Sequence, residues 1–94
     1  MFEVLITPSA KRSAKRLPKP VREKVVKQTQ KLKTNPYLGE KLSGSLYFLY
    51  SFHIKFKGVH YRIAYTINTS NKQIIIHLIG SREGFYQRLK RLLR

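Results

Sequence analysis

Residues 46–67, LYFLYSFHIKFKGVHYRIAYTI, constrain the fold more than any other stretch of the chain. In the first arm Tyr50, Phe52, Ile54 and Phe56 alternate with Ser51, His53, Lys55 and Lys57. In the second, Tyr61, Ile63, Tyr65 and Ile67 alternate with His60, Arg62, Ala64 and Thr66. Successive side chains of a strand point to opposite faces, so this pattern predicts a β-hairpin with one apolar, aromatic face. Gly58 marks the reversal between the arms. The opposite face gathers His53, Lys55, Lys57, His60 and Arg62. A solvated outer face would carry such residues, and so would a site for a polyanion. The mutual repulsion of five cationic or titratable groups on one small face favours the polyanion.

Charge points the same way. A chain of 94 residues forms one domain, residues 1–94, and buries roughly 60–65% of its unfolded surface. Twenty Lys and Arg stand against four acids, giving a net charge of +16. Self-repulsion of that size destabilises a compact state and suits an acidic partner, nucleic acid first and an acidic protein second. A membrane partner is not expected, because no basic amphipathic helix carries a Trp or Phe belt and no apolar run approaches membrane-spanning length. The start, MFEVLITPSA, lacks the basic lead and long apolar run of a signal peptide. Cysteine is absent. A cytoplasmic location is therefore the expectation.

The acids restrict the chemistry. Glu3, Glu23, Glu40 and Glu83 lie in four separate segments and there is no Asp. Mg²⁺ and Ca²⁺ need clustered oxygen ligands, so neither a metal nor another cofactor is expected. A paired-carboxylate hydrolase is equally poorly supplied. A nuclease built from these residues needs a nucleophile from elsewhere. The ribose 2′-OH supplies one, which favours RNA over DNA.

Around the hairpin the chain reads as β, α, α, β, β, β, α. Residues 2–7 predict a strand with Phe2, Val4 and Ile6 on one face, ended by Pro8. Ser9 is the expected N-cap of a short helix through Leu17, with Ala10, Ala14 and Leu17 inward and Lys11, Arg12, Lys15 and Arg16 in solvent. A second helix runs from Pro20 to Lys33 on a stripe of Val21, Val25, Thr29 and Leu32, widened by Val26. Residues 35–45 form a loop that Leu38 and Leu42 pin to the core. The last strand, Lys72 to Ile79, contains IIIHLI, a run suited to burial on both faces. A terminal helix opens at Arg82-Glu83 and buries Phe85, Leu89 and Leu92 or Leu93. Tyr86, Arg82 and Lys90 share another of its sides. His77 is read as a hydrogen-bonded core or edge residue. The sum is an α+β domain: a helical hairpin on a mainly antiparallel four-stranded sheet, with a C-terminal helix.

With this order of elements, YRIAY (residues 61–65), IGSRE (79–83) before a Tyr-bearing helix, and KLSG (41–44) after the helical hairpin resemble the RelE/ParE toxin superfamily. The resemblance implies a toxin of a type II toxin–antitoxin system, with a cognate antitoxin as partner. RelE-type members cleave mRNA in the ribosomal A site without metal. ParE-type members poison DNA gyrase instead. Residue by residue, the family's arginines fall on Arg62 and Arg82 and its tyrosine on Tyr86, one residue closer to Arg82 than in the archetype. Lys55 and Lys57 fall on basic positions, and His53 stands where the archetype has a lysine.

The chemistry of 2′-OH attack fits those residues. It needs a base, cations for a dianionic phosphorane, and an acid for the 5′-oxygen. His53 titrates near neutral pH and is a candidate base. Lys55 is an alternative if its cationic neighbours lower its pKa. Arg62 offers a two-pronged fork to the phosphate. Arg82 adds charge stabilisation, and Tyr86 a surface on which a base stacks. Lys57, His60 and Lys90 are expected to bind RNA. The expected activity is that of a ribosome-dependent endoribonuclease. A gyrase poison and a non-catalytic RNA-binding domain are the alternatives.

Overall fold

The computed structural model describes residues 1–93. Its elements are β1 (Glu3–Ile6), α1 (Pro8–Lys15), α2 (Lys19–Thr34), β2 (Glu40–Lys41), β3 (Tyr50–Phe56), β4 (Val59–Asn68), β5 (Gln73–Ser81) and α3 (Phe85–Leu92). The α+β class holds, with five strands in the order β1-β5-β4-β3-β2 rather than four. The added strand, β2, is two residues long, too short for any periodic pattern. All neighbours run antiparallel except β1, which is parallel to β5.

The hairpin sits at the centre, as its alternation requires. Lys57 and Gly58 both have positive φ, 50° and 79°. That is the tight two-residue turn whose twist matches paired strands, and it sets Phe56 opposite Val59. The first arm begins at Tyr50, not Leu46. Gly44–Leu46 forms a 3₁₀ turn instead. Leu46 and Leu49 plug inward from this segment, while Tyr47 and Phe48 stay exposed. Leu38 is exposed too and does not pin its loop, whereas Leu42 is half-buried against the core. Tyr65 fastens that loop: its buried hydroxyl donates to Pro36 C=O at 2.7 Å and accepts from Gly39 N–H at 3.0 Å. A side chain at Gly39 would collide with the hydroxyl. Burial pushes the Tyr65 pKa up to about 12.

Two cores flank the sheet. The helical hairpin covers one face, where Val21, Val25 and Leu32 of α2 meet Ile54, Ile63, Tyr65, Ile74 and Ile76. Val26 is 57% exposed and lies off this stripe, because it is rotated about 100° from Val25. On the other face Phe85 and Leu89 of α3 cover Ala64, Leu78, Leu46 and Leu49. Leu92 is largely exposed and Leu93 packs against this second core.

One irregularity explains why IIIHLI resists a period-two reading. Tyr65 pairs with Ile76 but Ala64 with Leu78, so His77 is an extra residue in β5. This bulge reverses the alternation. Ile74, Ile76 and Ile79 face the helical hairpin, while Leu78 joins the α3 side. His77 is half-buried and bonds Thr66 Oγ1 at 3.0 Å.

α1 completes the edge of the sheet. Thr7, not Ser9, is its N-cap: the Thr7 hydroxyl accepts from Ala10 N–H at 3.1 Å, and Pro8 occupies the first turn. β1 pairs only with residues 73–76 of β5. Beyond that point α1 takes over the edge. Buried Ser13 accepts the Ile79 N–H at 3.2 Å and donates to Ala10 C=O at 2.8 Å. With the Thr7 N–H on Ile76 C=O at 3.0 Å, this serine closes a strand edge that would otherwise stay unpaired.

Candidate functional site

Strand register assembles the site. On the α3 side His53 lies opposite Arg62, and Arg62 opposite Gly80. One step towards the turn, Lys55 lies opposite His60. Arg82 follows β5 and donates its amide to His60 C=O at 2.9 Å. The sheet pairing thus continues past the strand and puts Arg82 beside His60. One step the other way, Ser51 lies opposite Ala64, under the second core. Four side chains from β3 and β4, with Arg82 just past β5, therefore form a cationic patch at the open end of the face, and α3 roofs the closed end.

α3 also supplies Tyr86. Gly84 has φ 66°, a left-handed conformation that turns the chain from Arg82 into the helix. Phe85 anchors the first turn, so Tyr86 faces the patch. The Arg62 guanidinium stacks over the Tyr86 ring at 5.4 Å. The Tyr86 hydroxyl donates to Ser51 Oγ at 3.4 Å. Arg62 Nε is buried and has no hydrogen-bond partner. A guanidinium only donates, and its planar fork suits a phosphate whose oxygens accept two parallel bonds. His53 and His60 have ring centroids 6.2 Å apart. Desolvation, then Arg62 and His60, hold the His53 pKa below its usual 6.5.

The register thus brings His53, Lys55, His60, Arg62 and Arg82 together, and α3 adds Tyr86. Two expected residues lie apart. Lys57 sits in the turn with its ammonium 5.5 Å from the Phe56 ring, on the α2 side. Lys90 is exposed on α3 and, with Tyr86, borders a separate cleft against residues 42–46. Arg82 does not share a helix side with Tyr86 and Lys90, because it precedes the helix that begins at Phe85. Sequence reasoning missed Arg88. Its guanidinium lies over Gly80, where a Cβ would come within 2.8 Å of Nη2, and it donates to Ser81 C=O at 3.3 Å. The glycine in IGSRE was the available signal, since a missing side chain in a strand marks a close approach. Among the described residues no group of three or more His, Asp and Glu side chains gathers to hold a metal. No described helix is long and apolar enough to cross a membrane.

The structure is a small, strongly basic α+β domain with a cationic sheet face under a terminal helix. Residues 4–90 match the ParE-like toxins of type II bacterial toxin–antitoxin systems, and the chain belongs to that family. The fold is that of the toxin in the RelBE2 complex from Mycobacterium tuberculosis. The match has 25% identity and a TM-score of 0.74 over 86% of this chain and 98% of that one. It is also that of the isolated Escherichia coli RelE toxin, with 21% identity and a TM-score of 0.72 over 98% and 99%. A YoeB/ParE toxin from Agrobacterium tumefaciens shares it at 18% identity and a TM-score of 0.71 over 86% and 99%. No match is found among curated protein sequences.

Proposed function

We propose that this toxin is a ribosome-dependent endoribonuclease that cuts mRNA by 2′-OH attack, without metal, and so stops translation. The observation that carries the reading is the row His53–Arg62, with the Arg62 guanidinium braced on the Tyr86 ring. His53 has its pKa lowered and is neutral at pH 7, so it takes the 2′-hydroxyl proton. The 2′-oxygen bonds to phosphorus as the bond to the 5′-oxygen breaks. Arg62 and Arg82 neutralise the charge that accumulates on the phosphoryl oxygens. Lys55, beside His60, returns a proton to the leaving 5′-oxygen. Tyr86 stacks on a base and holds the strand in line.

The partner of a type II toxin is its antitoxin. An apolar groove of about 290 Å³ fits an amphipathic antitoxin helix. Val4 and Ile6 of β1, Ala14, Leu17 and Val26 line it, and Ile6 is 47% exposed. An antitoxin seated there adds bulk that keeps the toxin out of the ribosomal A site.

Induction of the toxin alone in growing cells tests the reading against the gyrase alternative that the ParE-like family keeps open. Pulse-labelled protein synthesis is expected to fall within minutes while plasmid supercoiling stays unchanged. Continued translation with double-strand DNA breaks would select the gyrase poison.

A further inference from the structure

Arg12, Arg16 and Arg88 converge on a cleft of about 190 Å³ between α1 and α3, floored by Leu78. This is not the cationic patch described above. Arg88 is two positions from Tyr86 on α3, a rotation of about 200°, so it faces the other way. Among the described residues no acidic side chain lines the cleft. Ser9 accepts one bond from Arg12 Nη2 at 3.2 Å, and Ser81 C=O accepts one from Arg88. A guanidinium carries five N–H donors, so most of the donors here have no partner within the cleft wall.

The position of α1 does not require these arginines. Its structural task, closing the β5 edge, falls to Ser13 and the buried Ala10. Three guanidiniums facing one cleft with no counter-charge raise the free energy of the folded state. An anion removes that cost, and the planar fork of arginine fits phosphate with two parallel bonds. Gly80, under the Arg88 guanidinium, is the register partner of Arg62, so the cleft and the patch flank α3 on the same sheet face.

We propose that the α1–α3 cleft is a second phosphate site, which grips the backbone of structured RNA away from the bond that is cut. The proposal rests on the RNA-directed reading above and extends it from the cut strand to the RNA that surrounds it. Fluorescence anisotropy with an RNA duplex of about 12 base pairs, titrated from about 50 to 200 mM salt, tests it. Two double variants are compared. Arg12→Ala with Arg16→Ala removes two charges from the cleft, and Lys19→Ala with Lys27→Ala removes two exposed charges from α2. All four positions are exposed, Arg12 in α1, Arg16 at its C-cap, and Lys19 and Lys27 in α2, where substitution leaves folding intact. The cleft variant is expected to bind about tenfold or more weakly at the low-salt end, with its log–log salt slope smaller by about 2, since each lost phosphate contact removes about 0.9. The α2 variant is expected to keep the wild-type slope. Equal losses in both variants would overturn the site and leave only net charge. Unchanged duplex binding by the cleft variant, with loss of a poly-glutamate peptide instead, would also overturn it and assign the cleft to an acidic protein. Selective loss of duplex binding in a toxin that leaves mRNA uncut would keep the phosphate site and remove the endoribonuclease reading.

Discussion

Arg62→Ala is expected to lower mRNA cleavage by about 100-fold or more, and Arg82→Ala to do the same. In the proposed mechanism both arginines neutralise the charge that grows as the 2′-oxygen attacks, and loss of one preorganised donor to such charge costs about 10²–10³ in rate. Arg62 is the more demanding position. Its guanidinium is half-buried and stacked over the Tyr86 ring at 5.4 Å, which fixes how it faces the patch. Lysine at this position keeps the charge and loses both the fork and the planar stack, so Arg62→Lys is expected to recover little. Neither alanine variant should unfold the protein, because neither arginine is anchored by a protein acceptor at its free donors. The measurement is cleavage of mRNA on programmed ribosomes, normalised to folded protein by circular dichroism. Full activity in both variants would remove the catalytic assignment.

Phe85→Ala is expected to cost about 3–5 kcal/mol, the range for truncating a fully buried phenylalanine. Phe85 has no exposed surface and, with Leu89, holds α3 against Ala64 and Leu78. α3 has only eight residues, far below the length at which a helix is stable alone. Once this anchor goes, Tyr86 loses its place over Arg62. The variant therefore loses activity through α3 as well as stability. For a domain of this size each kcal/mol moves the melting temperature by roughly 4–8 °C, so a drop of more than about 10 °C is expected. Val26→Ala, at an exposed position, should shift it by no more than a few degrees. Equal melting curves for Phe85→Ala and wild type would mean that α3 is not held by this contact.

The hairpin and α2 were legible because each buries one face and so repeats with a fixed period. Val21, Val25, Thr29 and Leu32 are the buried residues of α2, as the stripe predicts. The shared face of His53, Lys55, His60 and Arg62 followed from the Gly58 turn and the alternating arms, and the structure adds the register that sets His53 opposite Arg62. The rest depended on contacts between distant parts of the chain. No local pattern encodes the parallel pairing of β1 with β5, and β2 is too short to show one. The bulge at His77 hides behind a run of isoleucines that looks apolar in either register. Ser9 looked like a cap because it follows proline, yet Thr7 is the residue whose hydroxyl reaches the Ala10 amide. The basic residues of α1 looked like solvent-facing charge. Only the packing of α1 along the β5 edge sets Arg12 and Arg16 across from Arg88. In the site, the alternation already grouped His53, Lys55, His60 and Arg62 on one face, and the fold brought Arg82 and Tyr86 to it. Lys57 was misplaced because the turn takes it out of the alternation and leans it onto Phe56.

The chemistry at the cut ends tests the central claim most directly. Attack by the 2′-oxygen leaves a 2′,3′-cyclic phosphate on the upstream fragment and a 5′-hydroxyl on the downstream one. Messenger RNA from cells induced for the toxin is ligated to adaptors specific for each kind of end and sequenced. The account predicts coding-region fragments that carry 5′-hydroxyls and vanish with Arg62→Ala. Intact mRNA, or cut ends that carry 5′-phosphates, would contradict it.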